Sequence, residues 1–161
     1  MQNPILGRRG FYEEIARAVA EALDKRVLGV IVFGSTVYIG VGVDIDVLVI
    51  VDGDVDLKKK FKLEHELSRR LSRVFKNRIF DVHVMSIGEF RENLEPGSFL
   101  SGLALGYQVI IDKAGVEEQI LEYLKRLSRE KYVLHNKYGD WNLSFYAKVL
   151  YKLKMKRRSA N

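Results

Sequence analysis

Two short stretches of this sequence combine residue types that suit phosphate and divalent cations. The first, Val32-Phe33-Gly34-Ser35, closes an apolar run on a glycine and a hydroxyl. A strand that stops at Gly-Ser lets bare backbone N–H groups and one hydroxyl approach an anion, above all where the chain then enters a helix N-terminus. The second, Asp44-Ile45-Asp46-Val47, follows after eight uncharged residues, TVYIGVGV. Side chains two apart on a strand share a face, so Asp44 and Asp46 stand side by side and repel one another. A divalent cation relieves that repulsion, and hard oxygen ligands suit magnesium or manganese, which bind substrate phosphates as well. Asp81, in Phe80-Asp81-Val82, offers a third carboxylate from another strand, where it could complete a second metal site or take the proton from an attacking hydroxyl.

The elements that must position these residues are legible in the apolar pattern. Phe11, Ile15, Val19, Ala22 and Leu23 follow the three-and-four spacing of one helical face, predicting a helix over Phe11–Arg26. Leu28–Phe33 and Asp44–Val51 read as interior strands, the second apolar on both faces beyond its first three residues. Asp56 is the expected N-cap of a helix over Leu57–Phe75, whose stripe is Leu63, Leu67, Leu71, Val74 and Phe75. Arg78–Met85 reads as a third strand, two short helical stretches follow, and YQVIID at 107–112 reads as an edge strand. From Gly115 the pattern is helical, with one helix marked by Val116, Ile120, Leu124 and Leu127. A second, after the NKYGDW turn, is marked by Tyr146, Val149, Leu150 and Leu153. The expectation is an α/β chain: a core over 1–112 and a helical C-terminal extension over 113–161.

Composition narrows the chemistry. A chain of 161 residues, 47% hydrophobic and 30% charged, can bury a core without staples. It has no cysteine, so any metal must be held by oxygen or by histidine nitrogen. Neither a signal-peptide core nor eighteen consecutive apolar residues occurs, so a cytoplasmic protein is expected. The net charge of +6 is concentrated in KVLYKLKMKRR at 148–158, which is either a contact for nucleic acid or an acidic partner, or the solvated face of a terminal helix.

Gly34-Ser35, Asp44-x-Asp46 and the later Asp81 together resemble the signature of the DNA polymerase beta-type nucleotidyltransferase superfamily. The superfamily includes kanamycin nucleotidyltransferase, archaeal CCA-adding enzymes and short, antitoxin-like minimal nucleotidyltransferases that often pair with a helical toxin. In size the chain is similar to the minimal group, and the resemblance spans residues 28–112. It implies a mixed sheet flanked by helices, with Gly34 and Ser35 holding a nucleoside triphosphate and Asp44 and Asp46 binding catalytic Mg2+ (or Mn2+). It also implies Asp81 as the third catalytic and metal-binding carboxylate. The implied reaction moves a nucleoside monophosphate to an acceptor hydroxyl of a protein partner or RNA, with pyrophosphate leaving. The same residues admit other readings: a degenerate module that binds nucleotide or nucleic acid without turnover, or a subunit that neutralises a toxin-like partner.

Other candidates carry plainer expectations. Asp52, Asp54 and Asp56 read as a turn and helix start rather than a calcium loop. His83 shares a face with Asp81 and could reach substrate, but reads first as a packed, hydrogen-bonded histidine. Trp141, Phe145 and Tyr146 could stack on a base, though at helical spacing aromatics more often fill a core.

Overall fold

A computed structural model describes residues 8–34, 37, 44–76, 78–137 and 139–161. Helix α1, Arg8–Leu23, buries Ile15, Ala18, Val19 and Leu23. The helix expected to reach Arg26 tightens into a 3-10 turn at Asp24–Arg26, where Asp24 takes a φ of 51° and redirects the chain into strand β1, Val27–Phe33. Strand β2 covers Asp44–Val51. Helix α2, Leu57–Val74, starts where expected, with Asp56 accepting the Lys59 N–H at 3.1 Å.

Strand β3, Ile79–Ser86, runs directly into helix α3, Ile87–Glu92, through a capping box. In it Ser86 accepts the Glu89 N–H while the Glu89 carboxylate accepts the Ser86 N–H. A 3-10 helix at Phe99–Leu105 precedes strand β4, Tyr107–Asp112. Helix α4 spans Val116–Arg129; Asp112 reaches across to accept the N–H groups of Val116 at 2.8 Å and Glu117 at 3.0 Å. The expected NKYGDW turn is part of a two-stranded hairpin, β5 (Val133–Asn136) with β6 (Gly139–Asn142), before helix α5, Leu143–Ser159.

The four longer strands form one mixed sheet in the order β3-β2-β1-β4. Strands β1 and β2 are antiparallel, β1 and β4 are antiparallel, and β2 and β3 are parallel with α2 in the crossover. The alternation along β2 divides the core in two. Ile45, Val47, Val49 and Val51 pack with Ile15, Val19, Leu67 and Leu71 of α1 and α2. Leu48 and Ile50 pack on the other side with Phe90, Leu100, Leu103, Ile120 and Leu124. Each fully buried side chain of this kind contributes about 1.5–3 kcal/mol, so a β2 apolar on both faces drives helices onto both. The residues after 112 belong to the second of these cores: Leu127, Leu143 and Ala147 share it with the sheet.

Polar contacts close the edges. At the outer strand, Glu64 of α2 accepts the Val84 N–H at 2.9 Å and so covers part of the β3 edge. Beside β4, the half-buried Lys154 of α5 donates to the Tyr107 carbonyl at 3.3 Å and lies 4.2 Å from the centre of its ring. The Tyr107 hydroxyl donates to Glu117 at 3.0 Å, and Arg158 pairs with Glu118. Among the described residues no helix is long and apolar enough to cross a membrane.

Candidate active site

Strand β1 ends where β2 and β3 begin, and the candidate residues gather at that end of the sheet. Phe33 pairs with Asp46, and Asp46 pairs in turn with Asp81 across the parallel β2–β3 ladder. The period of two places Asp46 and Asp81 on the face that continues inward as Leu48, Ile50 and Met85. Two carboxylates thus stand opposite one another on neighbouring strands at the mouth of an apolar core. Asp44 lies one step further out, paired with Ile79 and exposed.

Gly34 follows directly. Its φ is +88°, and its carbonyl accepts the Val37 N–H at 3.1 Å. A Cβ at this position would lie 2.3 Å from Asp46 Oδ2. Glycine is therefore required twice, once by the backbone turn and once by the carboxylate pressed against it. Ser35, the hydroxyl partner expected from the sequence, lies outside the described residues.

His83 completes the cluster. Oxygens of Asp46 and Asp81 and a ring nitrogen of His83 lie within 4.8 Å of one another, an arrangement able to hold a metal ion. His83 Nε2 is 3.3 Å from Asp81 Oδ2 without forming a hydrogen bond to it, and it is buried with no hydrogen-bond partner among the described residues. The expected packed histidine is thus packed, with the Phe99 ring 4.4 Å away, but its Nε2 is not hydrogen-bonded. Phe99 also meets Phe33 edge-on at 5.7 Å and stays 47% exposed, leaving an aromatic rim beside the carboxylates.

The electrostatics follow from this crowding. Burial pushes the Asp46 carboxyl above its ordinary value, the negative charges of Asp81 and Asp44 push the same way, and His83 opposes them. A carboxyl raised by burial and like charge is a group that a cation would stabilise in its ionised form.

Of the sequence candidates, the structure brings Asp46, Asp81 and Gly34 into one place and sets Asp44 at its outer margin. His83, two residues beyond Asp81 on the same face, joins them. The turn at Asp52–Asp56 gives a helix cap, as read. Phe145 departs from the core expectation and is 59% exposed, while Trp141 and Tyr146 pair with one another at 6.4 Å. In the basic block, Lys148, Lys152, Lys156 and Arg157 are exposed on α5.

No protein-family model matches the chain, and no curated protein matches it in sequence. Several solved structures align with it at low similarity. A tri-AMPylated Shewanella oneidensis HEPN toxin in complex with MNT antitoxin is similar at 11% identity and a TM-score of 0.45, covering 95% of this chain and 93% of that one. The toxin–antitoxin MntA-HpeT is similar at 13% identity and a TM-score of 0.49, over 73% and 85%. Spectinomycin adenyltransferase AAD(9) from Enterococcus faecialis, with ATP and spectinomycin, is similar at 14% identity and a TM-score of 0.46, over 76% and 68%.

Proposed function

We propose that this chain is a nucleotidyltransferase that moves a nucleoside monophosphate from a nucleoside triphosphate to an acceptor hydroxyl and releases pyrophosphate. The observation that carries the reading is the Asp46–Asp81 pair, opposed across two strands, with Gly34 pressed against Asp46. It supports the motif reading, in which the same three residues serve one reaction. Gly34 and Ser35 seat the triphosphate, because a glycine leaves the backbone N–H groups open to phosphate oxygens. Asp44, Asp46 and Asp81 are the carboxylates that would hold Mg2+ or Mn2+, an ion that when bound offsets the negative charge developing on the phosphate oxygens. The donor set fits such an ion: it is rich in oxygen, burial and the charges of Asp81 and Asp44 raise the Asp46 carboxyl, and the buried His83 Nε2 makes no hydrogen bond.

In this reading the acceptor oxygen attacks the α-phosphorus in line with the departing pyrophosphate. One P–O bond forms, the α–β anhydride P–O bond breaks, and the hydroxyl proton passes to Asp81. The catalytic residues lie within 1–112, while 113–161 contributes helical cover and the basic face of α5. The acceptor is a protein partner or RNA.

The test is incorporation of α-labelled nucleoside triphosphates, with magnesium or manganese present and RNA or cell lysate as acceptors. Asp44→Asn/Asp46→Asn serves as control. Label entering one acceptor class, and lost in the double variant, supports transfer and identifies that class. A folded chain that transfers none of the four nucleotides is instead a binding module.

A further inference from the structure

His83 changes what the carboxylate pair can hold. Its Nε2 is buried without a hydrogen bond, and a buried polar atom left unsatisfied destabilises the fold. The neighbouring Asp46 and Asp81 face each other across the β2–β3 ladder, where like charges directly opposite are destabilising. A cation between them would answer both defects. The spacing agrees: ligands about 2.1 Å from one ion lie about 3.0 Å apart when adjacent and about 4.2 Å apart when opposite. Here Nε2 is 3.3 Å from Asp81 Oδ2 and the whole set lies within 4.8 Å. Rotations of about half an ångström would bring it to bonding distance. Phe99, tilted against the imidazole with the ring centres 4.4 Å apart, limits how far the ring can swing away.

A nitrogen ligand also affects which ion is taken. Magnesium is a hard cation that favours oxygen and releases its waters reluctantly, whereas iron, nickel, copper and zinc suit imidazole, and manganese, at the weak end of that series, still accepts a nitrogen ligand more readily than magnesium does. We propose that Asp46, Asp81 and His83 Nε2 form a three-residue site for a divalent first-row transition ion, preferred over Mg2+. This deepens the reading above by naming the class of ion, and rests on it only for the use to which the ion is put.

The experiment measures binding rather than turnover. The full chain, stripped with a chelator, is titrated with Mn2+ alone and free Mn2+ is followed by electron paramagnetic resonance, then Mg2+ is added as competitor. One site per chain is expected, with Mn2+ still more than half bound at about a hundredfold excess of Mg2+. His83→Ala should weaken Mn2+ by about tenfold or more and change Mg2+ affinity by less than about threefold. His83→Gln, which keeps bulk against Phe99, guards against a folding artefact and should also lose the preference. The proposal is overturned if the folded wild type binds no Mn2+, if Mg2+ displaces it at equal concentration, or if both variants bind Mn2+ as the wild type does. Manganese binding in a chain that transfers no nucleotide would sink the reaction and leave the site standing. Transfer in a chain that prefers magnesium would do the reverse.

Discussion

Gly34→Ala tests the close approach at the centre of the candidate site with the smallest possible change. Two effects add. At a φ of +88° an L-residue is strained by about 1–2 kcal/mol relative to glycine. The new methyl would also lie 2.3 Å from Asp46 Oδ2, whereas ordinary contact begins at 3.4 Å, so the carboxylate must withdraw by about 1 Å. The Asp46 backbone is held between β1 and β3, so the withdrawal must come from rotation of its side chain. A displacement of about 1 Å in a positioning group can cost about a hundredfold in rate, so pyrophosphate release should fall by about that factor. The melting temperature should fall by only about 2–8 °C, from the strain spread over a chain of this size. The two readouts separate the claims. Turnover within twofold of wild type in Gly34→Ala would refute the argument that Asp46 must stay against the backbone. A chain that fails to fold would mean the turn matters more to the fold than to the carboxylate.

The remaining predictions concern the scaffold. Asp112→Ala removes the acceptor for the Val116 and Glu117 N–H groups at the start of α4, and chemical denaturation should show a loss of about 1–2 kcal/mol; an unchanged midpoint means water caps that helix equally well. Glu64→Ala uncovers the Val84 N–H on the outer strand, which should lower stability by about 1–3 kcal/mol and raise light scattering on heating. Equal scattering in variant and wild type would show that this edge needs no cover. For Lys154, burial lowers the pKa from 10.5, so the folded chain holds the protonated amine less well than the unfolded chain does. The contribution of this position is therefore least favourable while both states are protonated and improves as pH rises from the folded value toward 10.5. Urea melts of wild type and Lys154→Met should diverge in favour of wild type as pH rises toward 10.5, and a difference that stays constant over that rise removes the argument.

Much of the fold was readable because the apolar pattern is strong where the core is. Val47–Val51 is apolar at every position, and the structure covers both faces of that strand. The α2 stripe predicted the buried Leu67 and Leu71, and Asp56 marked the helix start. The hairpin at Val133–Asn142 escaped because its strands are four residues each and mostly exposed, leaving no alternation to read. Strand order and direction were also hidden: nothing local in Asp44–Val51 says that one neighbour is antiparallel and the other parallel. At the site, the carboxylates were visible as types at intervals, but their opposition across β2 and β3 is a property of register. The weight of His83 depended on what its Nε2 lacks, which only the surrounding atoms reveal.

That register has an evolutionary consequence. Asp46 and Asp81 face each other because β2 and β3 pair in a fixed alignment, and the segment joining them contains all of α2. A single-residue slip of β3 would carry Asp81 and His83 to the opposite face and bring Phe80 and Val82 toward the mouth. Substitutions on the outer surface of α2 can accumulate freely, but an inserted or deleted residue between Leu57 and Ile79 survives only if a turn at either end of the helix absorbs it. Descendants of this chain should therefore vary widely in letters while conserving the length of that crossover.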